Sequence, residues 1–274
     1  MLTFLLEPFQ YPFMQRGLLA VLIVGAVCAV IGTYVVLRGM AFFGDALAHS
    51  ILPGIAVGYL VNGSGSLFWW ALGTAVVASL GIGAVTRNTK IREDAAIGII
   101  FAGMFALGIA LISTVRTYSV DLTHFLFGDV LGVQAGDLWL SAAFGGLVIL
   151  TIAALYKEFL VLSFDPILAQ TLRMPVRLLD NILLVLTAVS IVVALQTVGV
   201  ALMLAMLVTP ASTAYLLTRR LPVMMLLAAA LASLSGVVGL YVSYYWGVPS
   251  GAAIVLASTL IFGVVWYVRR GEWV

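Results

Sequence analysis

Residues 17–37 read GLLAVLIVGAVCAVIGTYVVL, twenty-one positions without a charged side chain. At about 1.5 Å per residue a helix of this length crosses the hydrocarbon core of a bilayer. Working outward, comparable runs follow at 41–61, 66–86, 95–115, 138–156, 181–199, 201–218, 223–245 and 250–268. The pattern predicts an all-α integral membrane protein with nine transmembrane helices. The sixth and seventh runs are joined only by QTVGVAL, so an eight-span reading with one long broken helix stays open.

The composition of the whole chain agrees. Of 274 residues, 64% are hydrophobic and 9% charged, against about 25% charged in a soluble domain. A water-soluble surface cannot be built from this mixture; the lipid bilayer is the solvent. The reading is one transmembrane domain over 1–274, with no separate soluble domain and no cleavable signal peptide. The single cysteine, Cys28, excludes an internal disulfide framework and reads as a small buried hydrophobe.

The basic residues orient the spans. With the N-terminus outside, Arg38, Arg87, Lys90, Arg92, Lys157, Arg173, Arg177, Arg219, Arg220, Arg269 and Arg270 fall on the cytoplasmic side, and only Arg16 and Arg116 fall outside. The C-terminus is then cytoplasmic. Two connections are longer than turns. The outer-face segment at 116–137 is too apolar for a solvated loop and predicts a short helix near the outer mouth. In the cytoplasmic segment at 157–180, FDPILAQTL reads as a short helix with Asp165 as N-cap and Pro166 at its first position. Span two carries Pro53 and span seven Pro210, which predicts two broken helices at corresponding places of two inverted halves.

Inside span two, GDALAHSILPG (44–54) puts Asp45 and His49 four residues apart, on one helix face. An ionisable side chain there costs roughly 2.5–3.5 kcal/mol, so it faces a cavity or a partner. A carboxylate oxygen and an imidazole nitrogen suit a divalent first-row metal, manganese leaning to oxygen and zinc to nitrogen. A hydrogen bond between the two side chains is the competing account, and spacing leaves both open. The other histidine, His124, has Asp121 and Asp129 nearby, either as a metal-receiving mouth or as an interfacial turn.

Elsewhere simpler roles suffice. Glu93 and Asp94 suit a helix start, the arginine pairs anchor topology, and GIGA, FAGMFALG and ASLSG read as helix-packing surfaces. Trp69, Trp70, Trp246, Trp266 and Tyr267 sit at span ends as an interfacial belt. No GxxxxGK[ST] loop, HExxH or Ser/His/Asp set is present, so the chain has no catalytic residues and no nucleotide site of its own. Energy for active transport comes from a partner chain or from an ion gradient.

Five blocks carry a resemblance: VVLRGMAFFGDALAHSILPGIAVG (35–58), EDAAIGIIF (93–101), HFLFGDVLGV (124–133), FDPILAQTLRMP (164–175) and VGVALMLAMLVTPASTAYLL (198–217). In this order they resemble the permease subunit of manganese/zinc ATP-binding-cassette importers. The resemblance implies a vitamin B12-importer-like permease fold, shortened at the N-terminus, in a bacterial or archaeal cytoplasmic membrane. It implies a homodimer that pairs with two cytoplasmic ATP-binding subunits and receives metal from an extracytoplasmic binding protein. Asp45 and His49 would line the metal path, and Asp165, Pro166, Ile167, Leu168, Ala169 and Leu172 would form the coupling helix that docks on the ATPase. No permanently bound cofactor and no nucleic acid enter this reading; the cargo is manganese or zinc, with iron open. The alternative is a gradient-driven metal transporter or channel acting without an ATPase.

Overall fold

A computed structural model describes residues 7–62, 67–114 and 130–270. His124, Asp121 and Asp129, with most of the predicted outer segment, lie outside the described residues. After a 3-10 turn at Glu7–Gln10, the described chain forms helices α1 (Pro12–Leu37), α2 (Phe43–Ser50), α3 (Leu52–Asn62), α4 (Phe68–Asn88) and α5 (Glu93–Ser113). There follow α6 (Ala135–Ala154), α7 (Tyr156–Phe164), α8 (Pro166–Thr171) and α9 (Val176–Val198). The last three are α10 (Val200–Leu217), α11 (Leu221–Trp246) and α12 (Ser250–Arg269).

Among the described residues, nine spans are long and apolar enough to cross a membrane, with α2 and α3 together making the second. The sixth and seventh runs form separate helices that meet at Gly199. Its backbone stands at φ +81° between α9 and α10, a conformation that a helix interior does not tolerate and that glycine adopts without penalty. Large apolar side chains such as Val77, Leu150, Leu226 and Leu260 are exposed along the spans, as lipid-facing residues must be.

Packing divides the chain into two compact units. One takes its residues from Met1–Val36, His124–Ile149 and Val193–Val274, the other from Leu37–Thr123 and Leu150–Val192. In the first, α10, α11 and α12 pack on one another. A side chain at Gly32 would overlap the Leu207 carbonyl, and one at Gly236 would overlap Val21, so both glycines admit close helix approach. Ser141 of α6 and Thr197 share a buried 2.7 Å hydrogen bond, and Gln196 donates to Asp137 at 3.3 Å. These polar contacts join helices.

In the second unit α2 and α3 pack on α4 and α5, and α7 packs on α8. Gly54 lies against Trp70 and Thr74, and Gly108 against Leu52. The expectation that every small-residue motif is a packing surface is only partly met: Gly103 in FAGMFALG faces open space. The two-break expectation is corrected as well. Span two is interrupted, between Ser50 and Leu52, but Pro210 lies within a continuous α10. A proline removes one backbone donor, and the i→i−4 ladder on either side suffices to carry α10 through.

Candidate functional site

The break in span two falls directly after the stretch that carries Asp45 and His49. Pro53 has no N–H to give to the His49 carbonyl four residues back, and its ring crowds that oxygen. The Ile51 N–H takes the His49 carbonyl instead, which closes α2 one residue after Ser50. α3 then restarts, its Ile55 N–H bonding the Ile51 carbonyl at 3.1 Å.

Within α2, Phe43, Gly44, Ala46, Leu47, Ala48 and Ser50 are all buried. Only Asp45 and His49 are open, with side chains 34% and 30% exposed. One stripe of an otherwise enclosed helix thus presents a carboxylate and an imidazole, and nothing else. The two side chains approach each other, but the shorter contact of the imidazole is with the backbone. His49 Nδ1 lies 3.0 Å from the Asp45 backbone oxygen and 3.5 Å from carboxylate Oδ1. A carbonyl only accepts, so in this hydrogen bond Nδ1 carries the proton. Neutral His49 therefore keeps the Nε2 lone pair, the form in which imidazole binds a metal. Two rings of α5 fix the imidazole plane. Phe101 and Phe105 stand edge-on to it at 5.9 and 5.8 Å between centroids, and stack on each other at 5.7 Å.

A carboxylate and an imidazole form a mixed oxygen/nitrogen pair suited to a divalent transition metal. No group of three or more His, Cys, Asp or Glu side chains able to hold a metal occurs among the described residues.

The predicted cytoplasmic helix is present as α8. Asp165 Oδ1 accepts from the Ile167 and Leu168 amides at 3.0 and 2.9 Å, and Pro166 occupies the first helical position. At the other end Arg173 N–H bonds the Gln170 carbonyl and Met174 N–H the Ala169 carbonyl, a Schellman closure. Arg173 holds the left-handed position, φ 56°, usually given to glycine. Ile167, Leu168 and Leu172 are exposed, whereas Ala169 is fully buried. The helix turns apolar side chains outward, and Ala169 faces inward.

Sequence reasoning missed one charged group. Arg38 and Arg87 read as membrane anchors, but both donate to Asp180, to Oδ1 at 2.6 Å and to Oδ2 at 2.8 Å. The partners stand 142 and 93 positions away in the chain, so no local spacing could reveal them.

Comparison with known proteins fits this architecture. The description of the ABC 3 transport family matches residues 10–269. The manganese transport system membrane protein MntC of Halalkalibacterium halodurans is 44% identical over 267 residues, covering 97% of this chain and 91% of that protein. A probable iron transport system membrane protein of Haemophilus influenzae is 39% identical, covering 96% of each. Among solved structures, PsaBC from Streptococcus pneumoniae in complex with Fab superposes with a TM-score of 0.84 at 35% identity. The match covers 97% of this chain and 95% of that one. The chain therefore belongs to the ABC 3 transport family, as a multi-pass membrane permease subunit.

Proposed function

We propose that the chain is the permease of an ATP-driven importer for manganese, working as a homodimer. The observation that carries this reading is the single open stripe of α2, where Asp45 and His49 are the only residues not buried. Two copies would bring two such pairs to one path, giving a low-coordination station. Such a station must bind well enough to admit the ion and weakly enough to release it. Manganese is assigned because the carboxylate supplies the hard oxygen that Mn²⁺ prefers, and because a relative 44% identical carries manganese in its name.

An extracytoplasmic binding protein delivers the ion, and two cytoplasmic ATP-binding subunits drive its passage. The N-terminus lies outside and the C-terminus inside, as the distribution of basic residues requires. α8 is the docking element for the ATPase: Ile167, Leu168 and Leu172 offer an apolar contact, and the cap at Asp165 keeps the six-residue helix formed. Ala169 serves this helix from its buried side.

Reconstitution in proteoliposomes tests the reading. The chain is combined with its ATP-binding subunit and its binding protein, and uptake of Mn²⁺, Zn²⁺ and Fe²⁺ is followed with and without ATP. Saturable Mn²⁺ uptake that requires both ATP and the ATPase is expected. Uptake by the chain alone under a proton or sodium gradient would replace this reading with the gradient-driven one. ATP-dependent uptake of zinc or iron without manganese would keep the importer and overturn the cargo.

A further inference from the structure

Three charged side chains from three elements meet at Asp180. Its carboxylate uses both oxygens on different arginines: Oδ1 on Arg38, which directly follows α1, and Oδ2 on Arg87, in the last turn of α4. The three side chains are only 12–26% exposed, and Glu93, in the first turn of α5, feels the charges of Arg38 and Asp180. A carboxylate so held does not shift alone.

The places this carboxylate connects matter more than its strength. On one side, Asp180 belongs to α9, which starts at Val176, four residues after the C-cap of α8 at Leu172. The Schellman closure at Arg173 and Met174, followed by Pro175, leaves little freedom between them. The short connection thus ties α8 closely to the first turns of α9, where Asp180 stands. On the other side, Arg38 opens the five-residue link to α2 at Phe43, and α2 carries Asp45 and His49. That link contains Gly39, whose left-handed backbone (φ +71°) and free surroundings let the corner turn. Arg87 ties the same carboxylate to α4, which packs on α2 and α3.

We infer that Asp180 is a positioning residue that joins the ATPase-docking segment to the metal station, acting through Arg38 on α2 and through Arg87 on α4. The inference rests on the importer reading and assigns to it the mechanical link between α8 and Asp45/His49. Asp180 touches no cargo. Its carboxylate converts a shift of α8 into a shift of the α1–α2 corner, because stretching either short ion pair in a shielded site is costly.

Asp180→Asn separates a joint from a brace. The amide keeps the volume of the carboxylate but turns an NH₂ donor toward an arginine that also only donates. In the reconstituted complex, ions imported per ATP hydrolysed, ATPase co-purification and unfolding temperature are measured for wild type, Asp180→Asn, Asp180→Glu and Arg38→Gln. The expected result is at least a tenfold fall in Mn²⁺ per ATP for Asp180→Asn and Arg38→Gln, with ATPase recovery and unfolding temperature near wild type. Asp180→Glu, which keeps both acceptor oxygens, should recover most of the ratio. The double variant should be no worse than either single one, since both break one joint. An unchanged ratio in Asp180→Asn would overturn the joint alone. So would a fall matched by equal loss of ATPase recovery and thermal stability. Absence of ATP-driven import by the wild-type complex would overturn the importer reading itself.

Discussion

His49 and Asp45 show how far two residues in a sequence can be read. Their four-residue spacing placed them on one face, and the apolar neighbours made a buried ionisable pair a functional candidate. The sequence left open whether they bond to each other. In the structure His49 Nδ1 donates to the Asp45 carbonyl at 3.0 Å and also lies 3.5 Å from carboxylate Oδ1, which leaves Nε2 outside both contacts. Asp45→Asn should lower Mn²⁺ uptake at least tenfold while membrane insertion, checked by fractionation, stays normal. The aromatic support from α5 was not legible, because Phe101 and Phe105 sit in an apolar run where any phenylalanine reads as lipid-facing or core. Replacing both by Leu keeps the site apolar but frees the imidazole ring. If His49 holds the ion as proposed, a freed ring is less well oriented for it, so KM for Mn²⁺ should rise in transport assays. The ATPase rate of the complex should change little.

The elements were legible wherever local chemistry sets their ends. Asp165-Pro166 specified the start of α8, and its cap and first turn form as the residue types require. The end of α8 was not legible, since Arg173 adopts a conformation that glycine usually marks. Pro53 correctly signalled a break in span two. Pro210 signalled one in span seven that does not occur, because a proline's cost depends on whether neighbouring turns keep the helix in register. Losing the cap in Asp165→Ala costs about 1 kcal/mol of local stability, a large share of what holds a helix of six residues. Recovery of the ATP-binding subunit with this variant should fall severalfold in detergent pull-downs. Ile167→Asp and Leu168→Asp should abolish recovery, since each would bury a charge against the partner. Normal recovery in both would place docking elsewhere.

For the whole molecule, the nine spans among the described residues were readable from hydropathy, because a bilayer admits only segments that satisfy their own backbone. Long-range pairing was not: Arg38, Arg87 and Asp180 are distant in the chain and individually unremarkable. The orientation drawn from the basic residues predicts sidedness. In a Cys28→Ala background, Gln10→Cys should react with an impermeant maleimide on intact cells. Leu172→Cys should react only after the cells are opened. The reverse pattern would invert the topology and place α8 on the wrong side for an ATPase.

Whether the metal passes by Asp45 and His49 is read from the metal content of cells. Manganese, zinc and iron are measured by elemental mass spectrometry in the native host carrying the intact chain, a deletion, Asp45→Ala or His49→Ala. Manganese should fall in the deletion and fall equally in both point variants, with zinc and iron unchanged. Manganese lost in the deletion but normal in both variants would contradict it, leaving an importer whose metal travels by another route.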